Sequence, residues 1–198
     1  MATKVVKTVS GRLRFLYRKQ EFLTPYLRRL LCNALIQPHF DYACIAWYSN
    51  LGKNYTKKLQ IMQNKCIRFC LSLGNRHHIG MAEFKKINWL PTRERFVQCV
   101  CVSVYRFVNK EAPAYMNDIY KLASSYYHNT RKGVYRLTQP YKTNNSGLNS
   151  LSYIGPRQWN DLPNKLKLTT DADTFKHSIK DLIFNNLKKK EDDIYLYY

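Results

Sequence analysis

Three observations make this a mainly α-helical chain with a small β-hairpin in its C-terminal third. Apolar residues recur at steps of three and four over several long stretches, Lys and Arg collect on the opposite faces, and turn residues crowd one segment late in the chain. From Lys4 to Gln20, Val6, Val9, Leu13 and Leu16 keep the helical step while Lys4, Lys7, Arg14 and Arg18 fall behind them, which predicts an amphipathic helix with a basic back. Gly11 weakens it by about 1 kcal/mol relative to alanine.

Thr24 followed by Pro25 reads as a cap and first helical residue, opening a helix through Leu27, Leu30, Leu31, Ala34 and Leu35. Pro38 disfavours helical geometry at Gln37, so the chain is expected to leave the helix there and turn through His39 and Phe40. Asp41 then caps an apolar segment, Tyr42 to Trp47, closed by a loop from Asn50 to Asn54. The cleanest period lies in Thr56 to Leu73, where Leu59, Met62, Cys66, Phe69 and Leu73 alternate steps of three and four with Lys58, Lys65 and Arg68 outside.

Arg93 to Asn109 is rich in β-branched residues, but seventeen residues without a turn signal predict a buried helix limited by Pro113, with a shorter helix from Pro113 to Ala123. Polar and turn residues then separate two strand-like runs, Val134 to Thr138 and Leu151 to Ile154, across Asn144-Asn145-Ser146-Gly147, which predicts the hairpin. A last helix opens at Thr170, whose spacing to Asp173 fits a capping box, and buries Phe175, Ile179, Leu182 and Ile183. The organisation is a helical region over 1–123, a C-terminal extension with short strands and a final helix over 124–187, and a charged tail over 188–198 that frays.

The net charge is +20, from 33 basic against 13 acidic residues, spread along the whole length. A body this positive repels itself, which makes sense with a polyanionic partner; nucleic acid leads, an anionic membrane surface follows, and a solvated basic surface is the plain alternative. No stretch approaches the ~18 apolar residues of a membrane span and the N-terminus lacks the apolar block of a signal peptide, so the expected location is intracellular, nucleus or cytoplasm, with six cysteines as thiols.

Chemical constellations are weak. Cys66-x3-Cys70 followed by His77-His78 has ligand types suited to zinc, but not the spacing of a knuckle or finger, and both cysteines lie on the apolar side of their helix. His39, Asp41 and Cys44 lie too close in sequence for a converging nucleophile site. There is no phosphate-cradling glycine loop and no carboxylate pair in an apolar setting that would seat magnesium. No cofactor, metal or catalytic residue is expected.

What remains is a set of basic positions on helical faces: Lys4, Lys7, Arg12, Arg14, Arg18, Lys19, Arg28, Arg29, Lys53, Lys57, Lys58, Lys65 and Arg68. Tyr17, Tyr26, Tyr48 and Tyr55 lie among them, either stacking on sugars or bases or lining the core.

The strings "LLCNALIQPHFDYACIAWY", "LQIMQNKCIRFCL", "INWLPTRERF", "HNTR", "YIGPRQWNDLP" and "FKHSIKDLIFNNL", in that order, span nearly the whole chain from about Lys4 to Leu187. Together they resemble the region that follows the catalytic palm in reverse transcriptases of non-LTR retrotransposons (LINE elements) of the jockey and related clades. The resemblance implies a thumb-like helical bundle with a C-terminal extension that grips an RNA–DNA or RNA duplex, sequence-nonspecifically, beside a palm domain. It also implies that polymerase chemistry resides upstream, on a motif of the type F/Y-A-D-D; none occurs here, so the chain is expected to be a detached C-terminal piece without activity of its own. The alternatives are a protein-interaction module, with Trp47, Trp89 and Trp159 uncovered as anchors for a palm or another partner, and a decayed mobile-element copy without function.

Overall fold

A computed structural model describes residues 1–123 and 136–188. Among them the structure is mainly helical: α1 (Ala2–Arg18), α2 (Pro25–Leu35), α3 (Gln37–Asp41), α4 (Cys44–Trp47), α5 (Lys53–Leu71), α6 (Met81–Ile87), α7 (Thr92–Val108), α8 (Met116–Ile119), α9 (Asn145–Leu148), α10 (Leu151–Asn160), α11 (Asn164–Lys167) and α12 (Ala172–Lys188). The chain groups into two compact units, Met1–Phe96 with Ile183–Tyr198, and Val97–Leu182. The partition falls inside α7 and α12.

In the first unit α1 buries Val5, Val9, Leu13 and Leu16, and packs against α5. The α2 start is as the sequence predicts: the Thr24 hydroxyl accepts from the Leu27 N–H, and Pro25 takes the first position, where a missing N–H costs nothing. α2 ends at Leu35, but Gln37 does not leave helical geometry. It opens α3 with Pro38 in the first turn, a place proline tolerates, so His39 and Phe40 are helical instead of a turn. Asp41 does not cap the next segment either, because its carboxylate is taken by Arg95 of α7, whose Nε and Nη2 donate at 2.8 and 2.7 Å. The residue before α4 is Ala43, left-handed at φ 48°.

α5 is the central element, burying Leu59, Met62, Cys66, Ile67, Phe69 and Cys70. It also carries a polar seam. Gln60 Oε1 accepts from the Thr92 N–H at 3.0 Å, occupying a donor of the α7 first turn, and Gln63 donates to the Leu90 carbonyl at 2.9 Å. Tyr48 is core: it stacks on Phe96 at 5.0 Å and shares a hydrogen bond with Thr92.

The second unit is built on aromatic packing. Tyr105 of α7 stacks on Phe175 of α12 at 4.3 Å, and its hydroxyl donates to the Thr169 carbonyl at 2.7 Å; Trp159 of α10 meets Phe175 at 6.1 Å.

No strand forms among the described residues, so the hairpin is a correction. Asn144 caps α9, its side chain accepting from the Gly147 N–H at 2.7 Å, and Leu151 to Ile154 lie in α10. The reason is local: Leu151–Ile154 holds a single β-branched residue, and Leu151, Gly155 and Trp159 follow the helical step. Val134 and Tyr135 lie outside the described residues, as does the 189–198 part of the expected tail. Leu137 makes one isolated antiparallel bridge with Leu122, while Asn160 substitutes for a second strand, its side chain exchanging hydrogen bonds with the Leu137 backbone at 3.0 and 2.9 Å.

The last helix begins one residue later than expected, because Asp171 and not Thr170 supplies the cap, accepting from the Thr174 N–H at 2.7 Å. It buries Phe175, Ile179, Phe184 and Leu187, leaving Leu182 and Ile183 half-buried.

Candidate nucleic-acid interface

All thirteen basic positions lie in the first unit. Lys4, Lys7, Arg14 and Arg18 form one exposed stripe on α1, opposite the face that buries Val9 and Leu13. At 1.5 Å per residue the stripe is about 21 Å long, enough to follow several phosphates. Lys19 ends the helix, exposed, and Arg29 is exposed on α2. On α5, Lys53, Lys57, Lys58 and Lys65 are exposed, with the Lys58 ammonium 5.6 Å from the Tyr55 ring centroid.

Arg12, Arg28 and Arg68 have structural work. The Arg12 guanidinium donates to the Leu35 carbonyl, tying α1 to the end of α2. Arg28 is a staple: Nε donates to the Leu23 carbonyl at 3.0 Å, Nη2 to Gln20 at 2.8 Å and Nη1 to the Ser72 hydroxyl at 2.8 Å, while its carbon centre lies 5.4 Å from the Phe69 ring. Arg68 donates to the His77 carbonyl at 2.8 Å. These bonds bring the first turn of α2 onto the C-terminal end of α5, and the edge contact of Tyr17 with Phe69 at 4.8 Å places the end of α1 there too. Arg18, Lys19, Arg28, Arg29 and Arg68 therefore belong to one end of the unit. Lys53, Lys57 and Lys58 lie on the first turns of α5, about 15 to 22 Å along the helix from Arg68.

The sequence reading missed Arg76, exposed in the loop that Arg68 holds; its only signal was proximity to other cations. It also missed Phe15 and Phe22, both exposed, for which a phenylalanine in an apolar pattern gives no signal at all. Of the four tyrosines, Tyr26 and Tyr55 are exposed, Tyr17 is half-buried against Phe69, and Tyr48 is core.

The other constellations resolve as packing. Cys66 and Cys70 are buried with Cys32 between α2 and α5, and burial pushes the Cys66 thiol well above its ordinary range, away from the thiolate a metal or an electrophile needs. Cys101 is likewise buried, its thiol pushed up to about 12 by desolvation and then by Cys99. His77 and His78 are exposed, the former 3.7 Å from Glu83. Asp41 is committed to Arg95, and the pKa of His39 is lowered by desolvation and then by the neighbouring Arg12 cation. Among the described residues no group of three or more His, Cys, Asp or Glu converges as a metal site. A cavity between Phe40, Cys44, Tyr48 and Phe96 measures about 10 Å³, room for one water and no substrate.

Trp89 and Trp159 are not uncovered anchors. They are 5% and 0% exposed; the Trp89 indole N–H donates to Asn33 at 2.7 Å, and Trp47, half-buried, donates to the Tyr42 carbonyl at 3.0 Å. Among the described residues no helix is long and apolar enough to cross a membrane. Compared with protein-family models, curated proteins and solved structures, the chain matches none.

Proposed function

We propose that this chain is a nucleic-acid-gripping helical module, the thumb-like and post-palm portion of a non-LTR retrotransposon reverse transcriptase, which holds an RNA–DNA hybrid by its phosphates and has no polymerase activity by itself. The observation that carries the reading is the exposed stripe Lys4, Lys7, Arg14 and Arg18 on α1, with Lys19 and Arg29 also exposed and a single acid, Glu21, before residue 30. Such contacts fix position on a duplex and carry no base sequence.

Binding of the full chain to a hybrid duplex, titrated with salt, tests it. If about six phosphates are met, log affinity against log salt has a slope of about −4 to −5, and each of Lys7→Gln and Arg14→Gln reduces the magnitude of the slope by about 1. A flat response, no binding at low salt, or primer extension by the chain unaided overturns the proposal.

A second reading, docking on a palm or another protein, is favoured by one observation: Leu27, Leu30 and Leu35 are exposed on α2. Aggregation of the isolated chain, relieved by adding a palm domain, would select it.

A further inference from the structure

We propose that the corner between α1 and α2, from Phe15 to Arg29, is a stacking site for the unpaired bases of single-stranded nucleic acid. Phe22 is 78% exposed, Tyr26 73% and Phe15 58%, whereas Phe40, Phe69, Phe84, Trp89 and Phe96 of the same unit are buried. Three rings within twelve residues are thus kept in water by a unit that has sequestered most of its other large aromatics. The corner is also pre-built. Arg28 bonds the Gln20 and Leu23 carbonyls to the first turn of α2 and anchors that turn on Ser72 and Phe69, while Thr24 caps α2 and Pro25 fixes its start. Phe22 and Tyr26 therefore project from a held turn, and binding would not have to order it.

The exposed cations at this corner are Arg18, Lys19 and Arg29, with Lys19 one helical turn from Phe15. Aromatic faces interleaved with phosphate-binding cations are what a single strand needs: rings take the bases and ammonium or guanidinium groups take the backbone. Inside a duplex these rings find no free base face, because the bases already stack on one another. A dry protein contact is the weaker fit, since covering the corner would desolvate its cations, and charged residues are depleted at the core of such contacts. The inference rests on the proposed nucleic-acid grip and extends it from paired to unpaired nucleotides, so that the module would read a junction between the two.

The test uses the full chain with labelled oligothymidylate and oligouridylate of about 20 nucleotides, longer than the roughly 4–16 such sites cover, beside a blunt RNA–DNA hybrid. Phe22→Ala with Tyr26→Ala is expected to weaken single-strand binding about tenfold or more while leaving hybrid affinity and its salt slope unchanged; Phe22→Tyr with Tyr26→Phe, which keeps both rings, restores it. A loss on either oligonucleotide supports the site, and the tighter wild-type binder identifies the strand, RNA or DNA, that it takes. Unchanged single-strand affinity overturns the stacking site and leaves the duplex grip standing, and if self-association is lost at the same time the rings belong to a protein contact. Equal losses on single strand and hybrid overturn it too, and absence of binding to all three probes overturns the grip with it.

Discussion

A β-carbon placed on Gly155 would come within 2.6 Å of the Tyr120 hydroxyl, so α10 and the buried Tyr120 ring meet only because residue 155 has no side chain. Gly155→Ala is therefore expected to destabilise the protein by about 1–3 kcal/mol, although alanine favours helix, and urea unfolding would measure it. A stability equal to wild type would mean that Tyr120 is free to move aside. Glu83 sets a second residue-scale expectation. Its carboxylate accepts from the Gly80 N–H at 2.8 Å and lies 3.7 Å from His77 Nε2. Burial alone would raise its pKa, but the bonds from the backbone and His77 outweigh burial and hold it below the ordinary carboxylate range. A depressed folded pKa stabilises fully above the ordinary value and is lost as pH falls through the folded one. Glu83→Gln should thus be less stable than wild type at neutral pH, with the gap closing as the carboxyl protonates in acid. A gap independent of pH, read from unfolding curves across the acid range, would show that shape and not charge sets the contribution.

At the scale of the element, α1 and α2 carry opposite expectations. Gly11 lies inside α1 with open space where a β-carbon would sit and no atom within 4 Å of that point, so Gly11→Ala should stabilise by about 1 kcal/mol through helix propensity alone. Thr24→Ala removes the hydroxyl that accepts from the Leu27 N–H and should cost about 1 kcal/mol. Chemical denaturation of the two variants would give shifts of opposite sign; a destabilised Gly11→Ala would mean that α1 is not continuous through residue 11. Thr24-Pro25 was legible because a cap and the residue after it are chemistry between neighbours. The start of α10 was not, because a short apolar run that follows the turn residues Asn144 to Gly147 suits a hairpin strand and a helix equally until Trp159 finds Phe175.

For the whole molecule the governing quantity is the charge of +20. Like charges on a folded body cost stability, and salt screens them within about 10 Å at 0.1 M. Raising salt from tens to hundreds of millimolar should therefore raise the Tm of the free protein while weakening its hold on nucleic acid. Circular dichroism melts beside binding curves would show the opposed trends, and a Tm that falls with salt would mean that attractive pairs such as Arg95–Asp41 outweigh the repulsion.

Periodicity, one helix cap and an excess of cations were properties of the sequence by itself, because each is written in residues within a turn or two of one another or in a plain count. Only the tertiary structure decided which cations are available. Arg12, Arg28 and Arg68 look like their neighbours along the chain, yet they donate to Leu35, Ser72 and His77, carbonyl or hydroxyl groups that folding brings to them. It likewise enclosed Trp89 and Trp159 and left Phe22 and Tyr26 in water. Side-chain type states how much is gained by burial; which side chains are buried depends on what packs above them, and that partner lies far away in the chain.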